Sequence, residues 1–140
     1  MRLLLDTHIL VWVLEADSQL STRAAELIRS TTNEVFVSAA SLFEIAIKKM
    51  IGKLDTSRSA TEILQEMTRV LAIQLLPILP HHLDAYQSIP LFEDHRDPFD
   101  RLLIASAFAD NLILISDDGK FERYTPFHPF HFCRAGRVLH

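Results

Sequence analysis

Short apolar runs set between helically patterned segments constrain this chain most. Leu3–Leu5, Val35–Val37 and the stretch LILI at 112–115 are apolar without alternation. That is the signature of strands covered on both faces. Between them, apolar residues recur at helical spacing. Ile9, Leu10, Val13 and Leu14 do so after the first run; Ala24, Leu27 and Ile28 share one face of 16–30; Ile63, Leu64, Met67, Val70 and Leu71 share another over 60–72. Alternating strands and helices imply an α/β fold: a central, mainly parallel sheet of four or five strands with helices on both faces. Stretch 73–79 reads as a further strand and 80–89 as a short helix. Helix starts are marked by Ser21, by Ser38 or Ser41, and by Asp97-Pro98, and one helix stops near Gly52. The aromatic, Pro-broken tail from about 125 carries no clear pattern.

With 140 residues and 49% hydrophobic content, the expectation is a single domain over 1–140 with a real core. Cys133 stands alone, so no intrachain disulfide forms, which suits a reducing cytoplasm. No run of 18 apolar residues offers a membrane span, and Asp6 and His8 break the start too early for a signal peptide. A net charge of −4 argues against broad electrostatic capture of nucleic acid. It leaves room for a nuclease whose active site is itself a knot of acids filled by metal.

Carboxylates fall where such a fold gathers its ligands. Asp6 follows the first strand, Glu44 lies early in the helix after the second, Asp97 and Asp100 open the helix before the last, and Asp117 and Asp118 follow that last strand. In a parallel sheet these points share one edge, beyond the carboxyl ends of the strands. Converging carboxylates repel unless a cation joins them or some stay protonated. An oxygen-only donor set favours Mg²⁺ or Mn²⁺, one or two ions, over Zn²⁺. Each acid also has a plainer reading. Asp6 suits an N-cap, Asp97 is fully explained as the cap before Pro98, Asp100 suits the helix dipole, and Asp117-Asp118-Gly119 suits a turn. Glu44, inside the apolar run 39–47, is harder to assign to a solvated face.

The phrases LLLDTHILVWVL, SAASLFEIAIKKMIGKL, HRDPFDRLLIASA and LILISDDGKFERY, in this order, resemble the PIN-domain family, most closely VapC-type toxins. The resemblance runs from about Leu3 to Tyr124. It implies a three-layer α/β/α sandwich, a Mg²⁺/Mn²⁺-dependent ribonuclease, a homodimer and a cognate VapB-like antitoxin. Residue by residue, it assigns the catalytic acids to Asp6, Glu44, Asp100 and Asp118, with Asp97 a further metal candidate one turn before Asp100. Asp117 is the off-pattern neighbour of Asp118, and the choice between them stays open. Thr7, Ser38 and Ser116 match hydroxyl positions beside the metal, with ordinary capping as their plainer reading.

The implied reaction is hydrolysis of RNA by a metal-activated water, leaving 5′-phosphate and 3′-hydroxyl ends. Arg96, Arg101 and Lys120 are the expected substrate contacts, with Lys48, Lys49, Lys53 and Arg123 as further candidates, although the first three also suit a solvated helix end. His81, His82, His128, His131 and His140 lack a metal-binding spacing. A haloacid-dehalogenase reading fails because the second residue after Asp6 is His8, and a receiver reading fails for want of an early acidic pair and a late strand-end Lys. The alternative function is a non-cleaving binding module that acts through its antitoxin complex.

Overall fold

The computed structural model describes residues 1–94 and 96–124 and, for the backbone alone, His131–Arg134. In chain order the elements are β1 (Arg2–Leu5), α1 (Thr7–Glu15), α2 (Thr22–Arg29), β2 (Glu34–Ser38), α3 (Ala39–Met50), α4 (Ala60–Arg69), β3 (Ile73–Leu76), α5 (Pro80–Gln87), α6 (Pro98–Ala109), β4 (Ile113–Ser116), a 3₁₀ turn (Gly119–Tyr124) and β5 (His131–Arg134). The five strands form one sheet in the order β3-β2-β1-β4-β5, and every pairing is parallel.

The period-2 alternation of strand side chains sorts the apolar runs into two cores. Leu3, Leu5, Val35, Val37 and Ile115 face one way, onto Ile9 and Leu10 of α1, Ile28 of α2 and Ile63 and Met67 of α4. Leu4, Phe36 and Leu114 face the other way, onto Leu103, Ile104 and Ala107 of α6 and onto Phe121 and Tyr124. The result is the expected three-layer α/β/α sandwich. Each fully buried Leu or Ile contributes roughly 1.5–3 kcal/mol relative to exposure, so the sheet is held from both faces.

Local chemistry sets the boundaries. Ser21 accepts from the Ala24 N–H at 3.1 Å and Ser38 from the Ala40 N–H at 3.1 Å, so both serve as N-caps. Helix α2 begins at Thr22, after the Ser21 cap that the sequence marks, because Ala16 ends α1 in the left-handed region (φ 50°) and Ser21 starts the next helix afresh. Strand β3 ends at Leu76, before Pro77, which has no N–H to donate. The tail that sequence leaves unassigned supplies β5, paired with β4; its remaining residues, His128 and His140 among them, lie outside the described residues. Among the described residues no helix is long and apolar enough to cross a membrane.

Strands β2 and β3 extend the sheet to one side of β1, and β4 lies on its other side. The chain therefore reverses direction across the sheet between β1 and β4. At such a switch point the connections leave in opposite directions and open a crevice beyond the strand ends.

Candidate active site

That crevice is where the carboxylates meet. A cavity of about 320 Å³ is lined by Asp6, Glu44, Asp97, Asp100, Asp117 and Asp118, together with Thr7, His8 and Lys48. Asp6 extends β1, its N–H donating to the Ile115 carbonyl at 2.9 Å. Asp117 and Asp118 follow β4, the neighbouring strand. Asp97 and Asp100 stand at the start of α6, and Glu44 lies on α3, which packs against both α1 and α6. An edge-to-face contact between Phe43 and Phe99, with centroids 5.8 Å apart, ties α3 to the first turn of α6.

Asp6 occupies the N-cap position of α1, yet its side chain does not cap the helix. Its Oδ2 instead accepts from the Ser116 hydroxyl at 2.8 Å, and Ser116 Oγ accepts from the Asp118 N–H at 3.0 Å. Ser116 thus joins the ends of β1 and β4. Asp6 is only 8% exposed. Burial raises its pKa from 3.8 to about 7; the Ser116 hydrogen bond opposes the shift, and the charges of Asp100 and Glu44 add to it. Glu44 is also buried, and Lys48 Nζ lies 3.6 Å from its Oε2. Lys48 is the single Lys or Arg among the described residues lining the cavity.

These residues suit a hard divalent cation. Six carboxylates share one small volume with one lysine, and the buried Asp6 holds its proton close to neutral pH. A cation bound there would release that proton and offset the repulsion, and the donor set is all oxygen.

The supporting residues divide. Ser116 touches Asp6 directly. Thr7 lines the cavity but donates its hydroxyl to Ser41 Oγ at 2.9 Å, and Ser38 caps α3 without lining the cavity. Asp97 accepts from the N–H groups of Phe99 (2.8 Å) and Asp100 (3.4 Å), so its capping role is realised at the cavity rim. Asp118 Oδ1 accepts from the Lys120 N–H at 2.9 Å.

Among the expected cations, Arg101 is a correction. It is 5% exposed, its guanidinium donates to the carbonyls of Ile89 and Pro90, and it lies 5.0 Å from the Tyr86 ring centroid. One position beyond Asp100, it falls on the face of α6 that packs against α5, so it braces the fold and is not offered to substrate. Arg123 pairs with Asp94 at 2.7 Å, and Lys49 donates to the Arg58 carbonyl at 3.0 Å. Arg96 and Lys120 are exposed but do not line the cavity.

Two features escaped the sequence. His8 lines the cavity; its signal was its place in the first turn after Asp6. The second is a cluster at the opposite edge of the sheet, where His81 and His82 each place Nε2 2.7 Å from an oxygen of Asp110. The three ligand atoms lie within 4.8 Å of one another. The Leu79 N–H donates to His82 Nδ1 at 3.0 Å, so neutral His82 carries its proton on Nε2 and donates it to Asp110. A metal at Nε2 would have to displace that proton, which makes the cluster a tie between α5 and the end of α6. Burial alone would raise the Asp110 pKa, but the two imidazoles outweigh it and the net shift is downward.

The family model of the PIN domain matches residues 3–125. Twenty-two solved chains match in structure. One is from VapBC2 of Rickettsia felis bound to a promoter DNA fragment, with TM-score 0.68 and 16% identity, covering 96% of this chain and 99% of that one. Another is from VapBC-5 of Mycobacterium tuberculosis, with TM-score 0.63 and 14% identity over 96% and 98%. A third is from FitAcB of Neisseria gonorrhoeae, with TM-score 0.63 and 17% identity over 94% and 96%. No curated protein matches the chain in sequence.

Proposed function

The chain belongs to the PIN domain family, and from that premise we propose that it is a Mg²⁺- or Mn²⁺-dependent endoribonuclease, the toxin of a toxin–antitoxin pair. One observation carries the reading: acids from four distant segments line a single cavity at the switch point of the sheet, with buried Asp6 among them. The likeness in fold to VapBC structures supports the toxin assignment and a VapB-like antitoxin; a homodimer acting in the cytoplasm is part of the same proposal.

Asp6, Asp100 and Asp118 would hold one or two ions, with Glu44 bound directly or through water, and Asp97 and Asp117 as neighbouring carboxylates. A divalent ion there supplies an acidified water and offsets the charge that builds on the scissile phosphate. Asp6 must lose its proton to serve, and the Ser116 hydroxyl favours the ionised form by donating to Oδ2. Ser116 also fixes the main chain at Asp118, so the two carboxylates keep their relative placement. Lys48 holds the Glu44 carboxylate on the cavity wall. Water adds to phosphorus, the bond from phosphorus to the 3′ oxygen breaks, and the products carry 5′-phosphate and 3′-hydroxyl ends. The 2′-hydroxyl is not the nucleophile. Arg96 and Lys120 are the exposed cations offered to RNA phosphates outside the cavity.

The test is cleavage of a labelled RNA pool by the purified, antitoxin-free protein in Mg²⁺, Mn²⁺ or EDTA, with product ends mapped. Metal-dependent cuts that leave 5′-phosphate support the reading. Cleavage that persists in EDTA, or ends bearing 2′,3′-cyclic phosphate, would sink it.

A further inference from the structure

A second cavity adjoins the acidic one. It measures about 260 Å³ and shares Thr7, His8 and Lys48 with it. Its remaining walls are Val11 of α1, Ile45 of α3, and Lys53 and Leu54 beyond α3. We propose that this cavity is a nucleotide subsite, in which the base of one unpaired RNA residue sits against Val11, Ile45 and Leu54 beside His8 while Lys48 and Lys53 meet its phosphates. In naming RNA the assignment rests on the nuclease reading above.

The end of α3 builds this cavity. Gly52 takes a left-handed conformation (φ 75°). Its N–H donates to the Lys49 carbonyl at 3.2 Å, and the Lys53 N–H donates to the Lys48 carbonyl at 2.8 Å. This paired bonding is the helix-ending motif that folds the chain back on its last turn. It returns Lys53 and Leu54 to the side of Lys48. The Leu54 N–H also reaches the Lys48 carbonyl, at 3.2 Å. Lys48 and Lys53 are therefore set on one cavity, which the pattern of a solvated helix end does not require. Lys49, between them in sequence, turns away to the Arg58 carbonyl.

The chemistry fits one occupant. Apolar walls with the Lys53 ammonium, and with Lys48 set between Glu44 and the cavity, suit a flat base attached to an anionic backbone. The acidic cavity next door, with six carboxylates to one lysine, repels an RNA phosphate until a cation fills it. A volume of about 260 Å³ lies below the roughly 300–1,000 Å³ of pockets for drug-sized ligands. It suits a single extruded nucleotide. His8 stands at the junction, with its ring edge-to-face on Trp12 at 4.9 Å. Trp12 itself is buried, so the imidazole rests on a fixed support.

The experiment measures binding apart from cleavage: fluorescence anisotropy of a labelled single-stranded RNA hexamer on the full chain with Ca²⁺ present. Lys53→Glu is expected to weaken binding about tenfold or more and Lys49→Glu less than about twofold, because only Lys53 faces the bound strand. Lys53→Gln and a thermal melt of each variant separate loss of charge from loss of fold. An abasic scan of the hexamer is expected to find one position whose base matters by about tenfold. Equal effects of Lys53→Glu and Lys49→Glu, or an abasic scan with no sensitive position, overturns the subsite. Binding with this pattern but without Mg²⁺- or Mn²⁺-dependent cleavage keeps the subsite and removes the nuclease. Cleavage without the pattern does the reverse. No RNA binding at all overturns both and leaves the cavity to a protein partner.

Discussion

Asp6 and Asp110 stand at opposite edges of the same sheet, and their surroundings push them in opposite directions. Asp6 is buried beside Asp100 and Glu44, and its pKa rises to about 7. Asp110 sits between His81 and His82, and its pKa falls. Burial raises both, but at Asp6 it is opposed by a single hydroxyl and reinforced by two neighbouring acids, whereas at Asp110 the hydrogen bonds of two imidazoles outweigh it. A carboxylate met by imidazole N–H groups is complete in the protein alone. A carboxylate met by other carboxylates and one hydroxyl awaits a cation. Of the two clusters, the carboxylate-rich one is thus the better candidate for metal, although the His/Asp group has the more familiar ligand types.

The contrast can be broken most forcefully at Asp6. Asp6→Asn is expected to reduce RNA cleavage by about a thousandfold or more, read as single-turnover rate at saturating Mn²⁺. The same change should raise the melting temperature of the metal-free protein, because it removes a buried group that resists ionisation. Unchanged cleavage would remove Asp6 from the chemistry.

A smaller effect is expected at Ser116. Ser116→Ala removes the donor that favours ionised Asp6, so metal affinity should fall about 10–100-fold and the activity profile should move to higher pH. A profile that moves to lower pH would contradict the role given to this hydroxyl.

Titration separates the two edges without mutation. A group whose folded pKa lies above its unfolded value stabilises the fold at low pH and loses that contribution as pH rises. Metal-free protein should therefore lose stability between about pH 4 and pH 7 on account of Asp6, at up to roughly 1.4 kcal/mol per pH unit, and Asp6→Asn should flatten that slope. Asp110 follows the opposite rule. Its contribution is present above about 3.8 and is lost as pH falls through its lowered folded value. Denaturant midpoints across pH check both signs.

The smallest effect on function is expected at Asp110. Asp110→Ala leaves two imidazoles, one fully buried, without their acceptor and should cost about 1–3 kcal/mol of stability. Cleavage per folded molecule should stay within about twofold. A large loss of activity in folded protein would mean that the two edges are coupled.

What was legible in the chain follows from range. Strand runs, helix periodicity and caps are local, so Leu3–Leu5, Ser21, Ser38 and Asp97 could be read directly. Asp6, Glu44, Asp100 and Asp118 could be brought together only because a parallel sheet places its strand ends on one edge. Arg101 misled because its charge and its neighbour Asp100 pointed to substrate, whereas the helix phase turned it onto the carbonyls of Ile89 and Pro90. The His81–His82–Asp110 tie spans 28 residues or more and no spacing rule announces it. Lys48 and Lys53 read as a solvated helix end until the turn at Gly52 closed a cavity between them.

Calorimetric titration of Mn²⁺ into wild type, Asp6→Asn and Asp110→Asn at pH 6.5, in two buffers of different ionisation enthalpy, tests the central claim most directly. Wild type and Asp110→Asn are expected to bind with release of a proton, and Asp6→Asn to lose binding. Binding that survives Asp6→Asn and disappears in Asp110→Asn would place the metal at the wrong edge of the sheet and contradict it.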